Sequence, residues 1–177
     1  MKKALYLLAE ISDRDFEWLL SVGRSKAVPA GTVLIHEDEP INALYIVLSG
    51  TLAVSVEALS GAELARLGTG EIVGEMSFVD ARRPSATVKA VEDSVVWSIP
   101  RSQLAAKLSQ DISFSSHFFQ SLAVLLSDRL RSTINRLGSP EEPQFSQDDI
   151  TQDAMNPHLS GNLSLAEARL DWMLKRL

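Results

Sequence analysis

Gly74-Glu75-Met76-Ser77-Phe78-Val79-Asp80-Ala81-Arg82-Arg83-Pro84-Ser85-Ala86-Thr87-Val88 is the stretch whose reading decides the fold. It reads as a Gly-rich turn, a short helical turn, a loop, and then a strand. A phosphate held by a small domain needs converging N–H donors, and backbone amides at such a turn supply them with a favourable dipole. Upstream, Leu67-Gly68-Thr69-Gly70-Glu71-Ile72-Val73 supplies further glycines, which permit positive φ and a close backbone approach to a ligand. Glycines in a β protein are usually plain turns, so the surroundings must decide.

Outward from the stretch, short β-rich runs alternate with Gly, Pro, Asn and Asp: Thr32–His36, Ala43–Ser49, Thr51–Glu57, Glu63–Leu67, Ser85–Val91 and Ser94–Ile99. Strands at this spacing predict an antiparallel sandwich or barrel. Ser49-Gly50 and Ser60-Gly61 are tight-turn signals. Before the strands, Asp13–Val22 reads as a helix capped by Ser12 or Asp13, with Phe16, Leu19 and Leu20 on one face. After Pro100 the pattern turns helical: a short segment over Arg101–Leu108, then a long helix capped by Asp111 and running to about Leu137, where Gly138 and Pro140 stop it. Residues 138–162 are acidic and aperiodic and read as a linker. Leu163–Leu177 is amphipathic, with Leu163, Leu170, Leu174 and Leu177 on one face and capping-box spacing at Ser164 and Glu167.

Composition narrows the chemistry. The 177 residues contain no cysteine, which excludes disulfides and thiolate sites. His36, His117 and His158 show no ligand spacing, so no metal is expected. A net charge of −6 argues against a general polyanion-binding surface. The apolar run Ala4–Leu8 faintly resembles a secretory leader, but Glu10 and Asp13 follow at once without a small-residue cleavage site. No run approaches the ~18 apolar residues of a membrane span. The expectation is a soluble cytoplasmic protein.

Taken together, the run of strands, the LGTGEIVGEMSF turn and the PSATVKA strand resemble the cyclic-nucleotide-binding domain family. Ala27–Ile35 looks like that family's opening strands, and Ala43–Gly50 is similar to its YIVLSG hairpin. The resemblance covers about residues 10–137 and implies an α+β fold. Its core is an antiparallel β-roll or jelly-roll of about eight strands, with an N-terminal helix and C-terminal helices. The implied domain is 1–137, followed by the linker and the terminal helix 163–177.

For the site, the resemblance implies that Glu75 accepts from a ribose 2′-hydroxyl and that backbone amides around Gly74, Met76 and Ser77 face phosphate or ribose. Ser85, with Ala86 beside it, would offer an amide or a hydroxyl to the phosphate. Where the family carries an arginine just before this residue, the chain has Pro84, which offers neither a charge nor an N–H. Arg83 lies one place upstream as a candidate phosphate ligand. Neighbouring side chains of an extended segment point to opposite faces, so a solvated loop arginine is the alternative. The family often has Gly where Asp38 stands, and aspartate tolerates the left-handed turn.

In the long helix, Phe118, Phe119, Leu122, Leu125, Leu126, Leu130, Ile134 and Leu137 recur at three-to-four spacing; part of this stripe should cover the β core, while its later part, Leu126, Leu130, Ile134 and Leu137, approaches a coiled-coil seam. The family often dimerises there, which implies a homodimer through 111–137. Asp128, Arg129 and Arg131 read as a solvated face. A helix-turn-helix is not expected after the long helix, because 138–162 is acidic and one helix follows, so no nucleic acid or membrane partner is expected. The terminal helix is read as docking on the domain, on a protomer or on another protein.

The leading expectation is a non-catalytic sensor for a cyclic nucleotide (cAMP, cGMP or a cyclic dinucleotide). A ligand-independent scaffold is the alternative. An enzyme is not expected, since no nucleophile–base pairing and no His-x-His pattern appears.

Overall fold

The computed structural model describes residues 3–137 and 161–175, with side chains through Ile134 in the long helix. The acidic stretch 138–162 therefore lies outside the described residues apart from Gly161 and Asn162.

Eight antiparallel strands form two four-stranded sheets. They are β1 (Arg24–Val28), β2 (Val33–Ile35), β3 (Ala43–Ser49), β4 (Leu52–Ser55), β5 (Glu63–Leu67), β6 (Ile72–Val73), β7 (Thr87–Ala90) and β8 (Ser94–Pro100). One sheet has the order β1-β8-β3-β6, and the other β2-β7-β4-β5. Six helices flank them: α1 (Ala4–Glu10), α2 (Asp13–Val22), α3 (Met76–Val79), α4 (Arg101–Gln110), α5 (Ile112–Leu137) and α6 (Leu163–Leu174). This is the expected β-roll with helices at both ends.

Strand β3 explains the layering. Successive side chains of a strand point to opposite faces. Leu44, Ile46 and Leu48 join a core shared with the helices, while Ala43, Tyr45 and Val47 join a second core between the sheets. Both faces are covered, so the strand reads as continuous apolar sequence rather than as an alternation. Strand β6 divides in the same way, with Ile72 toward the helices and Val73 toward the inter-sheet core. That places the chain immediately after β6, residues 74 onward, at the rim of both cores.

The caps follow the sequence reading at two helices. Ser12 Oγ accepts from Asp15 N at 3.1 Å, and Asp111 Oδ1 from Phe114 N at 2.9 Å. At α6 they do not. The helix starts at Leu163 with Asn162 as N-cap and no side-chain cap bond, so Ser164 lies inside the helix rather than at its cap. Strands β1 and β6 were not distinguished in the sequence. The run over 51–57 is a shorter strand followed by a 3₁₀ turn at Glu57–Leu59.

Helix α1 was also missed. Every residue from Ala4 to Ala9 is buried. A seven-residue helix is too short to stand alone, and its apolar surface is needed all round because α5 and α6 both pack on it. The buried face of α6 is Ala166, Arg169, Leu170 and Met173, with Leu163, Trp172 and Leu174 half-buried beside it. The expected leucine stripe is therefore rotated toward Arg169, and α6 docks within its own chain.

Candidate ligand recess

Gly74 leaves β6 with φ +88°, and a Cβ there would lie 2.2 Å from Ile41 Cδ1 and 3.2 Å from the Ala43 carbonyl oxygen. Only glycine combines that turn with that approach. The turn directs Glu75 inward, where it is 2% exposed, and opens α3. Ser77 is buried, and its carbonyl accepts from Arg101 Nη2 at 3.0 Å. The Arg101 guanidinium lies 4.6 Å from the Phe78 ring centre. The start of α4 thus pins α3 from behind.

A cavity of about 110 Å³ lies between this turn and the second sheet. Gly74, Glu75, Met76 and Ser77 form one lip, and Pro84, Ser85 and Ala86 the opposite lip. Ile35, Val54, Leu67, Val73 and Val88 make an apolar floor, and Arg129 of α5 closes one side. The apolar floor suits a ring or other apolar body, and the lips carry the polar contacts, which is the usual build of a small-molecule site.

Arg83 does not line this recess. Its Nη1 donates to the Asp38 carbonyl at 3.0 Å, and Asp38 N donates to the Pro84 carbonyl at 2.9 Å. These two bonds fasten the loop to the 36–39 turn and draw the Arg83 guanidinium to an exposed position. Asp38 adopts φ 60°, the left-handed conformation expected of it. The other residues singled out in the sequence, Gly74, Glu75, Met76, Ser77, Ser85 and Ala86, share the walls of the one recess.

The cation at the recess is Arg129, read from sequence as part of a solvated face. Its Nη1 bonds to Glu75 Oε1, its Nη2 donates to the Ile72 carbonyl at 2.6 Å, and Nη2 lies 3.4 Å from Glu71 Oε2. A signal was available, because Arg129 falls four and seven residues after the buried Leu125 and Leu122, on the same helix face. Burial pushes the Glu75 carboxyl above the ordinary glutamate range, opposed in part by Arg129. Burial also raises Glu71, opposed by Arg129 and Lys3. Two carboxylates thus share one guanidinium, so the recess holds no surplus positive charge for an anion.

Sequence comparison bears on the domain that carries this recess. The family model described as the cyclic nucleotide-binding domain matches residues 25–111. The cyclic AMP receptor protein of Thermus thermophilus is 33% identical over 123 residues, covering 68% of this chain and 55% of that protein. An uncharacterized NTE family protein of Mycobacterium tuberculosis is 31% identical over 121 residues, covering 68% of this chain but 20% of its own length. The chain therefore spans between a fifth and just over half of these curated relatives. The crystal structure of the Thermus thermophilus catabolite activator protein superposes with a TM-score of 0.61 at 30% identity, over 75% of this chain and 62% of that one.

Fold and recess define a β-roll domain closed by a C-terminal helix. Residues 25–111 of the chain are a domain of the cyclic-nucleotide-binding family. Among the described residues, no helix is long and apolar enough to cross a membrane.

Proposed function

We propose that this chain is a non-catalytic regulatory module that senses a small ligand of the cyclic-nucleotide class, cAMP, cGMP or a cyclic dinucleotide, in the recess. The ligand would meet the backbone of Gly74–Ser77 and of Ser85–Ala86, with Glu75 accepting from a ribose hydroxyl. One observation carries the reading: Arg129 of α5 already occupies Glu75. A ligand that takes up Glu75 must displace or share that guanidinium, so occupancy of the recess is transmitted to α5. Leu130, the next residue, and Ile134, a little over one turn further on, are 60% and 57% exposed and would carry the response to a second copy of the chain or to a protein partner. The expectations of no nucleic-acid partner, no metal and a cytoplasmic setting belong to the same proposal. Calorimetry with cAMP, cGMP and cyclic dinucleotides tests it: heat with saturation is expected, and silence at millimolar ligand removes the sensor reading.

A second reading is favoured by Pro84 and by the Glu75–Arg129 pair itself. In it, the domain is a ligand-independent scaffold whose recess is satisfied from within. Pro84→Arg separates the two. Nucleotide binding gained by the variant and lacking in the parent identifies a recess that is intact but disabled.

A further inference from the structure

Arg169 is the least expected buried residue of the molecule. It is 5% exposed, yet it belongs to a terminal helix that reads as amphipathic. Its Nη1 donates to the Leu8 carbonyl at 2.5 Å and to the Ile11 carbonyl at 2.8 Å, and its Nη2 to Asp13 Oδ1 at 2.6 Å. The Phe16 ring lies 5.3 Å from the guanidinium. Asn162 Nδ2 adds a bond to the Ala9 carbonyl at 3.3 Å. These carbonyls sit at the C-terminal end of α1, where a helix leaves its last acceptors unsatisfied and favours a cation. Helix α6 therefore caps α1.

The opposite end of α1 touches the recess machinery. Ala4 N donates to the Gly70 carbonyl at 2.7 Å, in the turn that leads into β6 and Gly74. Lys3, next to the helix, pairs with Asp128, the neighbour of Arg129. Helix α1 is a strut about 10 Å long. One end is held by Arg169, and the other braces both the turn before Glu75 and the stretch of α5 that carries Arg129. A helix this short does not hold its form without its neighbours.

We propose that Arg169 is a positioning residue for the recess: by capping α1 it holds Gly70 and Asp128 in place, and so sets how firmly Arg129 is held on Glu75. Undocking of α6 loosens the recess, and by reciprocity a change at Glu75 loosens α6. The inference deepens the sensor reading by giving the recess a remote control, but its test needs no ligand, so it stands or falls separately.

The test is amide hydrogen exchange on the full chain without ligand. Arg169→Met keeps the aliphatic bulk and removes the guanidinium. Loss of charge-assisted bonds of this kind predicts exchange faster by roughly tenfold or more. The acceleration is expected at residues 7–11 and also at 70–77 and 126–133, while β3 and β8 keep their protection. Acceleration confined to α1 and α6 overturns the proposal. Should Arg169→Met lose protection in β3 and β8 as well, two milder arms decide. Asp13→Asn changes an 86% exposed side chain and is expected to give the same three-site pattern at smaller size. Glu75→Gln is expected to accelerate residues 163–174. Failure of both remote responses overturns the coupling.

Discussion

Replacing Arg129 by Met tests the electrostatics of the recess most directly. The wild-type guanidinium serves Glu75, the Ile72 carbonyl and Glu71 together. Its removal leaves a carboxylate that is 2% exposed without its cation. Breaking a buried pair in this way costs about 3–5 kcal/mol. Protonation sets a ceiling on the charge part of that cost. Neutralising a glutamate of ordinary pKa about 4.3 at pH 7 requires about 3.7 kcal/mol, and Glu75 will take the proton rather than exceed it. At pH 5 the same neutralisation requires only about 1 kcal/mol. Wild-type Glu75, raised by burial, binds its proton more readily folded than unfolded. Its contribution to stability is therefore greatest at low pH and is lost as pH rises from the ordinary glutamate range through the raised value. In Arg129→Met that loss extends to higher pH. The expected destabilisation is about 3–5 kcal/mol at pH 7, or a fall in Tm of roughly 6–20 °C, shrinking by about half or more at pH 5. Urea titrations of both proteins at the two pH values measure it. A deficit that is equal at both pH values, or below about 1 kcal/mol at pH 7, refutes the claim that Arg129 stabilises the ionised form of Glu75.

Three further outcomes are expected. Gly74→Ala places a methyl against Ile41 and the Ala43 carbonyl at positive φ and should destabilise by about 2–4 kcal/mol in urea unfolding. Pro84→Arg restores a charge-assisted contact to a bound phosphate, so calorimetry should show cAMP affinity raised roughly tenfold to over a hundredfold. Leu130→Glu with Ile134→Glu alters exposed positions, so monomer stability should move by less than about 1 kcal/mol, while light scattering should report a shift from dimer to monomer. A wild type that is already monomeric at high concentration removes the dimer proposal instead.

What was legible in the sequence divides along a physical line. Strand β3, the turn at Gly74 and the Ser12 and Asp111 caps announce themselves through neighbours within a few residues, because apolar periodicity, positive φ and capping are local demands. Gly74–Ser77 and Ser85–Ala86 come together on the walls of the recess because they lie in two short segments joined by one loop. Arg83 lies off the recess for a reason that is not local: its guanidinium donates to the Asp38 carbonyl, 45 residues away.

The charged groups whose roles are not legible in the sequence answer distant partners. Arg129 meets Glu75 across 54 positions, Lys3 meets Asp128 across 125, and Arg169 meets Leu8 across 161. A charged residue on a helix is normally solvated, and Arg129 reads that way in the sequence. The two arginines nevertheless share a recognisable pattern, because each occupies a place in an apolar stripe where a leucine would be expected. Arg129 continues Leu122 and Leu125, and Arg169 stands between Ala166, Leu170 and Met173. A cation in that setting must find acceptors inside the fold or forfeit the burial of the stripe. Here the acceptors are buried carbonyls of a strand and of a helix end, Ile72 and Leu8, joined by the acidic side chains Glu75 and Glu71 at Arg129 and Asp13 at Arg169. Arg169 holds the C-terminal end of α1, while Arg129 sits next to Asp128, whose pair with Lys3 anchors the other end, so α1 is the element that joins the two arginines.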